Sequence, residues 1–292
     1  MKVAGFSFIR NAIQYDYPIV EAITSVLPLC DEFVIAVGQS DDDTEQLIRS
    51  IGSPKIKIIT TVWDDSLREG GRVLAEETNK ALAAIAPDTD WAFYIQGDEV
   101  LHEDSIPAVR EAMAAYLADK QVEGLLFKYR HFYGSYQYVG DSRKWYRHEI
   151  RVIRPTGHIT AYRDAQGFRT TDNQKLRVKL IDAYIHHYGW VKSVEHQRRK
   201  YAYFYRFWNS DTQMERIKAL ANHFRYEDHI DSLAEYQGTH PAVMLPRIAR
   251  ANSAFQFDTK TKRFSPRVRF LTFIERLTGW RIGEYKNYKL LR

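Results

Sequence analysis

The sequence predicts an α/β fold in which a mostly parallel sheet is flanked by helices and followed by a helical C-terminal extension. Short apolar runs alternate with segments of helical period through the first hundred residues, and strands separated by helices form parallel sheets that are covered on both faces. After Trp190 the chain becomes helical, aromatic and basic, as in QRRKYAYFYRFW. We therefore expect a main α/β domain over residues 1–190 and a helical C-terminal region over residues 191–292.

The individual elements follow from the spacing of the apolar residues. The predicted strands lie at Val3–Ile9, Glu32–Gly38, Lys55–Thr60 and Trp91–Gln96, and the predicted helices lie at Pro18–Leu29, at Asp42–Ile51 and after Gly70 and Gly71. Beyond about Gly124 the pattern is β-like and irregular, which predicts further strands in the same sheet. Because open parallel sheets bind ligands at the carboxyl ends of their strands, chemistry is expected at those ends.

Composition limits the class of protein. The chain has 292 residues, 45% of them apolar, and a net charge of +5, which suits an anionic ligand or an anionic membrane surface. Cys30 is the only cysteine, so no internal disulfide is expected. No apolar run reaches the length of a membrane span, and Arg10 and Asn11 interrupt the N-terminal apolar stretch, which argues against a signal peptide. We expect a cytoplasmic protein.

The strongest chemical signal is an acidic turn directly after the fourth predicted strand, in WAFYIQGDEVLHED. Asp98 and Glu99 follow Gly97 there, and their carboxylates suit Mg²⁺ or Mn²⁺, which prefer oxygen ligands. Such a cation bridges the phosphates of a nucleoside diphosphate and stabilises it as a leaving group. A solvated acidic turn that caps the next helix is the alternative.

A histidine pair ends a later predicted strand, in the segment IHHYGW. Neighbouring strand residues point to opposite faces, so only one of His186 and His187 reaches a given site. A neutral imidazole is a ligand for Mn²⁺ or Zn²⁺. A lone histidine on a strand is also a common hydrogen-bonded core residue, and its pairing with the acidic turn favours the metal.

Two further segments combine glycine with polar residues at the ends of predicted elements. In VGQSDDDT, Gly38 and Ser40 suit a tight turn near a ligand. Asp41, Asp42 and Asp43 are each candidates to bind a base or ribose edge or to cap the next helix. In REGGRVLAEETNKA, Arg68 and Arg72 lie at a helix N-terminus, where free amide groups favour anions. A solvated helix face is the alternative for these arginines.

The segments SFIRNA, VGQSDDDT, TNKALAAI, WAFYIQGDEVLHE and HHYGW, in this order, resemble glycosyltransferase family 2, the inverting enzymes of the GT-A fold. The similarity covers roughly residues 1–190 and points to bacterial members that assemble surface polysaccharides and glycolipids. It implies a nucleoside-diphosphate sugar as donor, a glycan or lipid-linked acceptor, a divalent metal (Mn²⁺ or Mg²⁺) and a carboxylate base. The implied donor site comprises Phe8, Arg10, Asn11, Gly38, Ser40, Asp42, Arg72, Gln96, Gly97 and Asp98.

The metal motif of the family is matched only in part. Asp98 matches the second Asp of the Asp-x-Asp motif, and His187 matches a late His near the metal, so the resemblance implies Asp98 and His187 as ligands. Gln96 stands where the family has the first Asp. Gly38 or its neighbour Val37 replaces the usual acid after the second strand, so the nucleobase stays open.

The resemblance also implies a base that removes the proton of the acceptor hydroxyl during in-line attack. Asp164, in YRDAQGFR, lies where similar enzymes carry this residue. Asp182 and Glu149 are rivals for the same role. A surface ion pair between Asp164 and a neighbouring arginine is the alternative.

The segment Phe264–Trp280 predicts a basic amphipathic helix. An anionic bilayer would accommodate such a helix and bring the enzyme to a lipid-linked acceptor at the inner face of the plasma membrane. Packing on the main domain or against a partner subunit would cover the same apolar residues.

Three other functions stay open on the sequence alone. A catalytically inactive GT-A-like protein that binds a nucleotide sugar or a glycan would explain Gln96. A nucleotidyltransferase shares the βαβ architecture, but SFIRNAIQ lacks the glycine-rich basic loop that grips a triphosphate. A nucleic-acid partner is not expected, because Lys and Arg are spread along the chain.

Overall fold

A curled mixed sheet organises the protein, seen in a computed structural model that describes residues 1–67, 69–251 and 253–291. The strands are β1 (Val3–Ile9), β2 (Glu32–Gly38), β3 (Ile56–Thr61), β4 (Trp91–Tyr94), β5 (Glu99–Leu101), β6 (Gly124–Tyr133), β7 (Ser135–Gly140), β8 (His148–Ile153), β9 (Ile159–Tyr162), β10 (Gly167–Thr170), β11 (Arg177–Trp190), β12 (Leu233–Glu235) and β13 (Lys289–Leu290). The helices are α1 (Ile19–Val26), α2 (Thr44–Arg49), α3 (Arg72–Ala83), α4 (Ile106–Ala115), α5 (Val194–Phe204), α6 (Asp211–Asn222), α7 (Leu245–Arg250) and α8 (Pro266–Thr278).

The strand order brings one end of many strands to a common edge. The sheet runs β12-β7-β6-β8-β4-β1-β2-β3, and β11 pairs with β6. β1 to β4 are mutually parallel. β8 is antiparallel to both β4 and β6, so β6 and β11 run in the same direction as β1. The carboxyl ends of these parallel strands therefore share an edge with the amino end of β8. The predicted fold class is confirmed.

Apolar layers cover both faces of the parallel strands. β1 and β2 are buried along nearly their whole length, as continuous apolar runs in a parallel sheet should be. On one face α1 and α4 contribute Ile23 and Met113, and on the other α3 contributes Leu74 and Ala81. Burying one large apolar side chain stabilises the fold by roughly 1.5–3 kcal/mol. These layers fix the positions of the strand ends.

Two helices are shorter than the sequence predicts. α1 ends at Val26 and passes into a 3₁₀ turn at Leu27–Leu29, because Pro28 has no amide hydrogen to continue the helix. α2 begins at Thr44 rather than at Asp42. The Asp42 carboxylate accepts the Thr44 amide at 3.1 Å and so belongs to the preceding turn.

The C-terminal region returns to the sheet at two places. β12 pairs with β7, and β13 pairs with β11. The division into residues 1–190 and 191–292 stays a prediction. Arg68, assigned by the sequence to the start of α3, lies outside the described residues. Within the described ranges, no helix has both the length and the apolar composition that a membrane crossing needs.

Candidate active site

A cavity of about 650 Å³ lies at the edge where the parallel strands end. Residues that follow β1 and β4 line one side, and residues of α5 line another. We call it the first cavity. Of the residues predicted from the sequence, it contains Phe8, Arg10, Gln96, Gly97, Asp98, His187 and Asp164.

Aromatic side chains form much of the wall of the first cavity. The Phe8 ring lies 5.8 Å from Trp63, and Tyr15 stacks on Tyr203 at 4.7 Å. Arg10 lies over the Trp63 ring at 5.8 Å. Trp63 Nε1 and Arg10 Nε are buried and have no hydrogen-bond partner among the described residues. Aromatic faces stack on nucleobases, and buried donors without partners can be satisfied by a polar ligand.

Asp98 is the charged centre of this cavity. Its Oδ2 atom accepts a hydrogen bond from Lys200 Nζ at 3.1 Å, and its Oδ1 atom lies 3.8 Å from His187 Nε2. Burial alone would raise the pKa of this carboxyl, but the charge of Lys200 and its hydrogen bond outweigh burial and hold the pKa well below its usual range. Asp98 is therefore an anion at every physiological pH.

Glu99, the other acid of the turn, faces away from the cavity. Asp98 lies in the turn before β5, whereas Glu99 is the first residue of β5 and forms a fully buried ion pair with Arg151 at 2.7 Å. The Tyr129 hydroxyl donates to the same carboxylate at 2.7 Å. The expectation that both acids present their oxygens to a metal is therefore wrong for Glu99. Breaking such a buried pair typically costs about 3–5 kcal/mol, so Glu99 is a structural residue.

His187, and not His186, faces Asp98, and its hydrogen bonds fix its tautomer. His131 Nε2 donates to the Tyr146 carbonyl at 2.8 Å. In a neutral ring His131 Nδ1 must then accept, and it lies 3.1 Å from His187 Nδ1. Burial lowers the pKa of both rings. His187 Nδ1 therefore carries the proton, and His187 Nε2 presents a lone pair to Asp98.

The pair formed by Asp98 and His187 fits a divalent cation. A carboxylate oxygen and an imidazole lone pair face each other across 3.8 Å, and both are acceptors that attract a cation into the space between them. Among the described residues, no three His, Cys, Asp or Glu side chains are grouped to hold a metal. A cation at this pair would need its remaining ligands from a bound anion or from water.

Gln96, which replaces the first acid of the family motif, connects the end of β4 to the loop between β9 and β10. Its Nε2 atom donates to the Ala165 carbonyl at 3.2 Å and to the Tyr94 hydroxyl at 3.3 Å. A carboxylate at this position could not donate to a carbonyl. The amide therefore supports the loop that carries Asp164.

The loop around Asp164 is conformationally strained. Arg163 and Ala165, on either side of Asp164, have φ values of 56° and 60°. Such positive values cost non-glycine residues about 1–3 kcal/mol and persist where the surroundings hold them. Gly71 permits this arrangement, because a Cβ there would lie 2.7 Å from Asp164 Cβ. Strain of this kind is concentrated at functional sites, which supports a role for Asp164.

Asp164 lies where two cavities meet. A second cavity of about 620 Å³ shares Tyr146, Asp164 and Gln166 with the first cavity and also contains Glu149. Burial raises the pKa of the Asp164 carboxyl. Burial also raises the pKa of Glu149, to about 8. At neutral pH Glu149 is therefore mostly protonated, and it accepts a proton only at higher pH, whereas the raised pKa of Asp164 makes its carboxylate a stronger base than an exposed Asp.

Asp182 does not share this position. It lies on the solvent side of β11, where its side chain is 83% exposed and pairs with Lys128 at 2.7 Å. It is absent from the lining of both cavities. The two remaining candidates for the base are therefore Asp164 and Glu149.

Three predicted donor residues form a clasp between the loops that follow β1 and β2. The Asn11 backbone amide donates to Ser40 Oγ at 3.0 Å, and the Asn11 side chain exchanges two hydrogen bonds with Asp41. Asp42 accepts the Gln14 amide at 2.8 Å. Asn11, Ser40 and Asp42 do not line the first cavity. Their hydrogen bonds position its rim, and a direct contact with a donor stays a prediction.

The remaining two predicted donor residues also lie outside the lining of the first cavity. Gly38 packs beneath Trp63, since a Cβ there would meet Trp63 Nε1 at 2.4 Å. Arg72 lies at the start of α3 beside Asp164, in an adjoining cavity of about 660 Å³, and pairs with Glu76 at 3.5 Å. Gly38 therefore shapes the aromatic wall, and Arg72 is an exposed cation near the site.

Sequence reasoning missed the lysines and the histidine that organise Asp98. Lys200 lies on α5, more than a hundred residues after Asp98, and Lys192 is buried with its amine 2.7 Å from the Tyr15 carbonyl. His131 lies near the carboxyl end of β6. The only sequence signal was the basic and aromatic segment after Trp190, which does not identify a partner for Asp98.

The fold and the site together define an α/β protein with a polar and aromatic cavity at the carboxyl ends of its parallel strands. No protein-family model and no curated protein sequence matches the chain. Among solved structures, residues 1–349 of TarS from S. aureus match at 14% identity and a TM-score of 0.38, over 75% of this chain and 70% of that chain.

Two ligand-bound structures match over a smaller part. The complex of TarS 1–349 with UDP matches at 19% identity and a TM-score of 0.34, over 45% of this chain and 36% of that chain. Glucosyl-3-phosphoglycerate synthase from Mycobacterium tuberculosis, in complex with Mn²⁺, UDP and phosphoglyceric acid, matches at 19% identity and a TM-score of 0.31, over 44% of this chain and 43% of that chain. The chain thus spans less than half the length of either. At this distance, function must be argued from the residues of this chain.

Proposed function

We propose that this chain transfers a sugar from a nucleoside-diphosphate sugar to an acceptor hydroxyl, with inversion at the anomeric carbon. The observation that carries the proposal is the ionised Asp98, held between His187 and Lys200 in an aromatic cavity that shares Asp164 with a second cavity. A donor in the first cavity and an acceptor in the second would meet at Asp164. The ordered motifs of the sequence support the same reaction.

The first cavity has the chemistry that a nucleoside diphosphate needs. The rings of Phe8 and Trp63 offer faces for a base, and Arg10 and Lys200 supply cations for the phosphates. A divalent cation held by Asp98 and His187 would neutralise charge on the diphosphate and stabilise it as a leaving group. Mn²⁺ suits the nitrogen donor of this pair better than Mg²⁺ does.

Asp164 is the proposed base. The acceptor oxygen forms a bond to the anomeric carbon, the bond from that carbon to the diphosphate oxygen breaks, and the acceptor proton passes to the Asp164 carboxylate. The raised pKa of Asp164 favours proton uptake. The Gln96 amide positions this residue through the Ala165 carbonyl.

The finer parts of the function rest on the resemblance. A hexosyl donor, a glycan or lipid-linked acceptor and a role in bacterial surface polysaccharide or glycolipid assembly extend the same proposal. A cytoplasmic location stays a prediction from the sequence.

A ligand screen tests the donor site. UDP, GDP, dTDP and CMP are added to the purified chain with and without Mn²⁺, and the melting temperature is measured. We expect one nucleoside diphosphate to raise it, more strongly with Mn²⁺. Because Asp98 and His187 supply only two donors, Mn²⁺ alone should bind at least about tenfold more weakly than Mn²⁺ with the nucleotide.

Two variants make this screen decisive. Asp98→Ala should lose the Mn²⁺-dependent part of the shift, whereas Asp182→Asn removes a surface carboxylate and should leave it unchanged. If no nucleotide shifts the melting temperature of the folded protein, the donor site is wrong. If a nucleotide binds tightly but no sugar nucleotide is turned over, the chain is an inactive nucleotide-sugar-binding protein and not an enzyme.

A further inference from the structure

An exposed apolar stripe runs along α8 and the residue pair that follows it. Phe270, Phe273, Leu277 and Trp280 are 63%, 57%, 67% and 65% exposed. The spacing of Phe270, Phe273 and Leu277 places these three on one face of α8, and Trp280 follows the Gly279 cap just beyond the helix. Large apolar residues that are exposed singly are ordinary, but a contiguous row marks an interaction surface. We call these four residues the apolar stripe.

Caps define both ends of α8 and ion pairs hold the helix, so the orientation of α8 determines which of its residues are exposed. The Ser265 side chain caps the N-terminus by accepting the Val268 amide at 3.3 Å, and Gly279 ends the helix with a φ of 69°. Val268 and Leu271, on the opposite face, line the second cavity. Glu275 pairs with Arg147 at 3.6 Å and also with Arg143 and Arg281. One face of α8 is thus turned toward the second cavity, and the apolar stripe points outward to solvent.

Positive charge around the apolar stripe favours an anionic partner. Arg269 and Arg276 are exposed and lie at its side by helical spacing. Residues 260–291 contain nine Lys and Arg against two acidic residues, whereas the whole chain has a net charge of only +5. The net positive charge of the protein therefore resides in this segment. An acidic surface is attracted to it, and a second copy of the same segment is repelled.

We propose that the apolar stripe docks on a bilayer that contains anionic phospholipid, with α8 lying in the plane of the headgroups. Aromatic and leucine side chains enter the boundary between headgroups and acyl chains, and the flanking arginines contact lipid phosphates. Trp280, at the end of the stripe, has the amphipathic ring that favours this boundary.

The position of α8 gives this docking a consequence for the acceptor. The inner face of the helix borders the second cavity, which contains Asp164 and Glu149. A lipid-linked hydroxyl at the membrane surface would therefore reach the proposed base directly. Delivery of the acceptor to Asp164 rests on the proposed function, whereas membrane docking itself does not depend on catalysis.

Co-sedimentation with vesicles tests the docking. The full chain is mixed with vesicles of phosphatidylcholine alone or with about 30% phosphatidylglycerol, at about 0.15 M and 1 M salt. We expect binding to the anionic vesicles at least tenfold stronger than to the neutral ones, and weaker in high salt.

The triple variant Phe270→Ser, Phe273→Ser, Leu277→Ser should lower binding to anionic vesicles at least tenfold while leaving the melting temperature unchanged. A second variant, Arg269→Glu with Arg276→Glu, should reduce the preference for anionic over neutral vesicles. The matched control Leu220→Ser removes an equally exposed leucine from α6 and should bind as the parent chain does.

Failure to bind anionic vesicles overturns the proposal, and so does equal binding by the triple variant. A dimer of the parent chain that the triple variant dissociates, seen by sedimentation equilibrium, would assign the stripe to a second copy instead. Nucleotide binding is measured on the same samples. If vesicle binding fails while nucleotide binding is intact, the proposed donor site is retained and only the proposed membrane-binding surface is rejected.

Discussion

At the scale of single residues, four adjacent positions of the acidic turn have different roles. Gln96 donates to the loop that carries Asp164, Gly97 allows close packing, Asp98 faces the cavity and Glu99 is locked into the core by Arg151. Only Asp98 faces the cavity where the resemblance implies a metal ligand, and that role stays a prediction. The departure at Gln96 has a physical reason, since a donor is needed opposite the Ala165 carbonyl.

The role of Gln96 leads to a prediction about Gln96→Glu. A carboxylate would oppose the Ala165 carbonyl and loosen the strained loop around Asp164, so kcat should fall about tenfold or more, as expected for a misplaced base. Nucleotide binding should change little. Steady-state kinetics and calorimetric titration measure the two effects, with Gln46→Glu on the exposed face of α2 as control. A variant with unchanged kcat would remove Gln96 from the positioning of Asp164.

The pKa of Glu149 predicts how stability depends on pH. In the folded protein this pKa is about 8, above its ordinary value of 4.5, because the carboxyl is buried. As pH rises from about 5 to 8, the unfolded chain ionises this group while the folded chain keeps it protonated, so stability is lost. Glu149→Gln abolishes this loss. Relative to the parent chain, the variant should gain stability on the order of a few kcal/mol between pH 5 and pH 9.

Denaturant unfolding at several pH values measures this gain. If the difference in the free energy of unfolding between the variant and the parent chain stays constant with pH, Glu149 is ionised in the folded state. The same series helps to separate the two candidate bases. A kcat profile whose inflection near pH 8 disappears in Glu149→Gln would transfer the role of base from Asp164 to Glu149.

At the scale of secondary-structure elements, loops are held by a few side chains that span long distances in sequence. The antiparallel strand β8 inserts between β4 and β6 and so brings Glu149 to the edge where the other strands end. The loop between β9 and β10 carries Asp164, and the Asn11 clasp ties the loops after β1 and β2. These loop contacts determine the shape of the cavity, whereas the sheet only supplies the edge at which the cavity lies.

The clasp predicts that Asn11→Ala destabilises the protein. The variant loses two side-chain hydrogen bonds to Asp41 at a buried position and places alanine at a φ of 54°. We expect the free energy of unfolding to fall by about 2–3 kcal/mol. Asn173→Ala is the control, because Asn173 has a φ of 64° but is exposed. Equal losses in both variants would attribute the effect to backbone conformation and not to the clasp.

At the scale of the whole molecule, the fold follows from sequence pattern more completely than the site does. Apolar runs such as Glu32–Gly38 predicted the parallel strands, because a strand that is buried on both faces is apolar along nearly its whole length. Asp98 and His187 could be predicted because strand ends converge in such a sheet. Lys200 and His131 could not, since they reach the site through the packing of α5 and through the pairing of β6 with β11.

The same limit applies to neighbouring acids and to the C-terminal helix. The sequence places Asp98 and Glu99 together, but the direction of each carboxylate depends on Arg151, which is 52 residues away from Glu99. For α8 the apolar positions were evident, but their division into an inner face and the exposed stripe depends on the ion pairs of Glu275. Long-range contacts therefore decide which residues of a motif meet a ligand.

Release of nucleoside diphosphate from a sugar nucleotide, with and without acceptor, tests the central claim most directly. It is measured for the parent chain, for Asp164→Asn and for the surface control Asp182→Asn, using the nucleotide found in the ligand screen. We predict that Asp164→Asn binds the nucleotide normally but loses at least about a hundredfold in turnover, and that Asp182→Asn is as active as the parent chain. Undiminished turnover by Asp164→Asn would contradict the assignment of the base and the meeting of donor and acceptor at the shared wall of the two cavities.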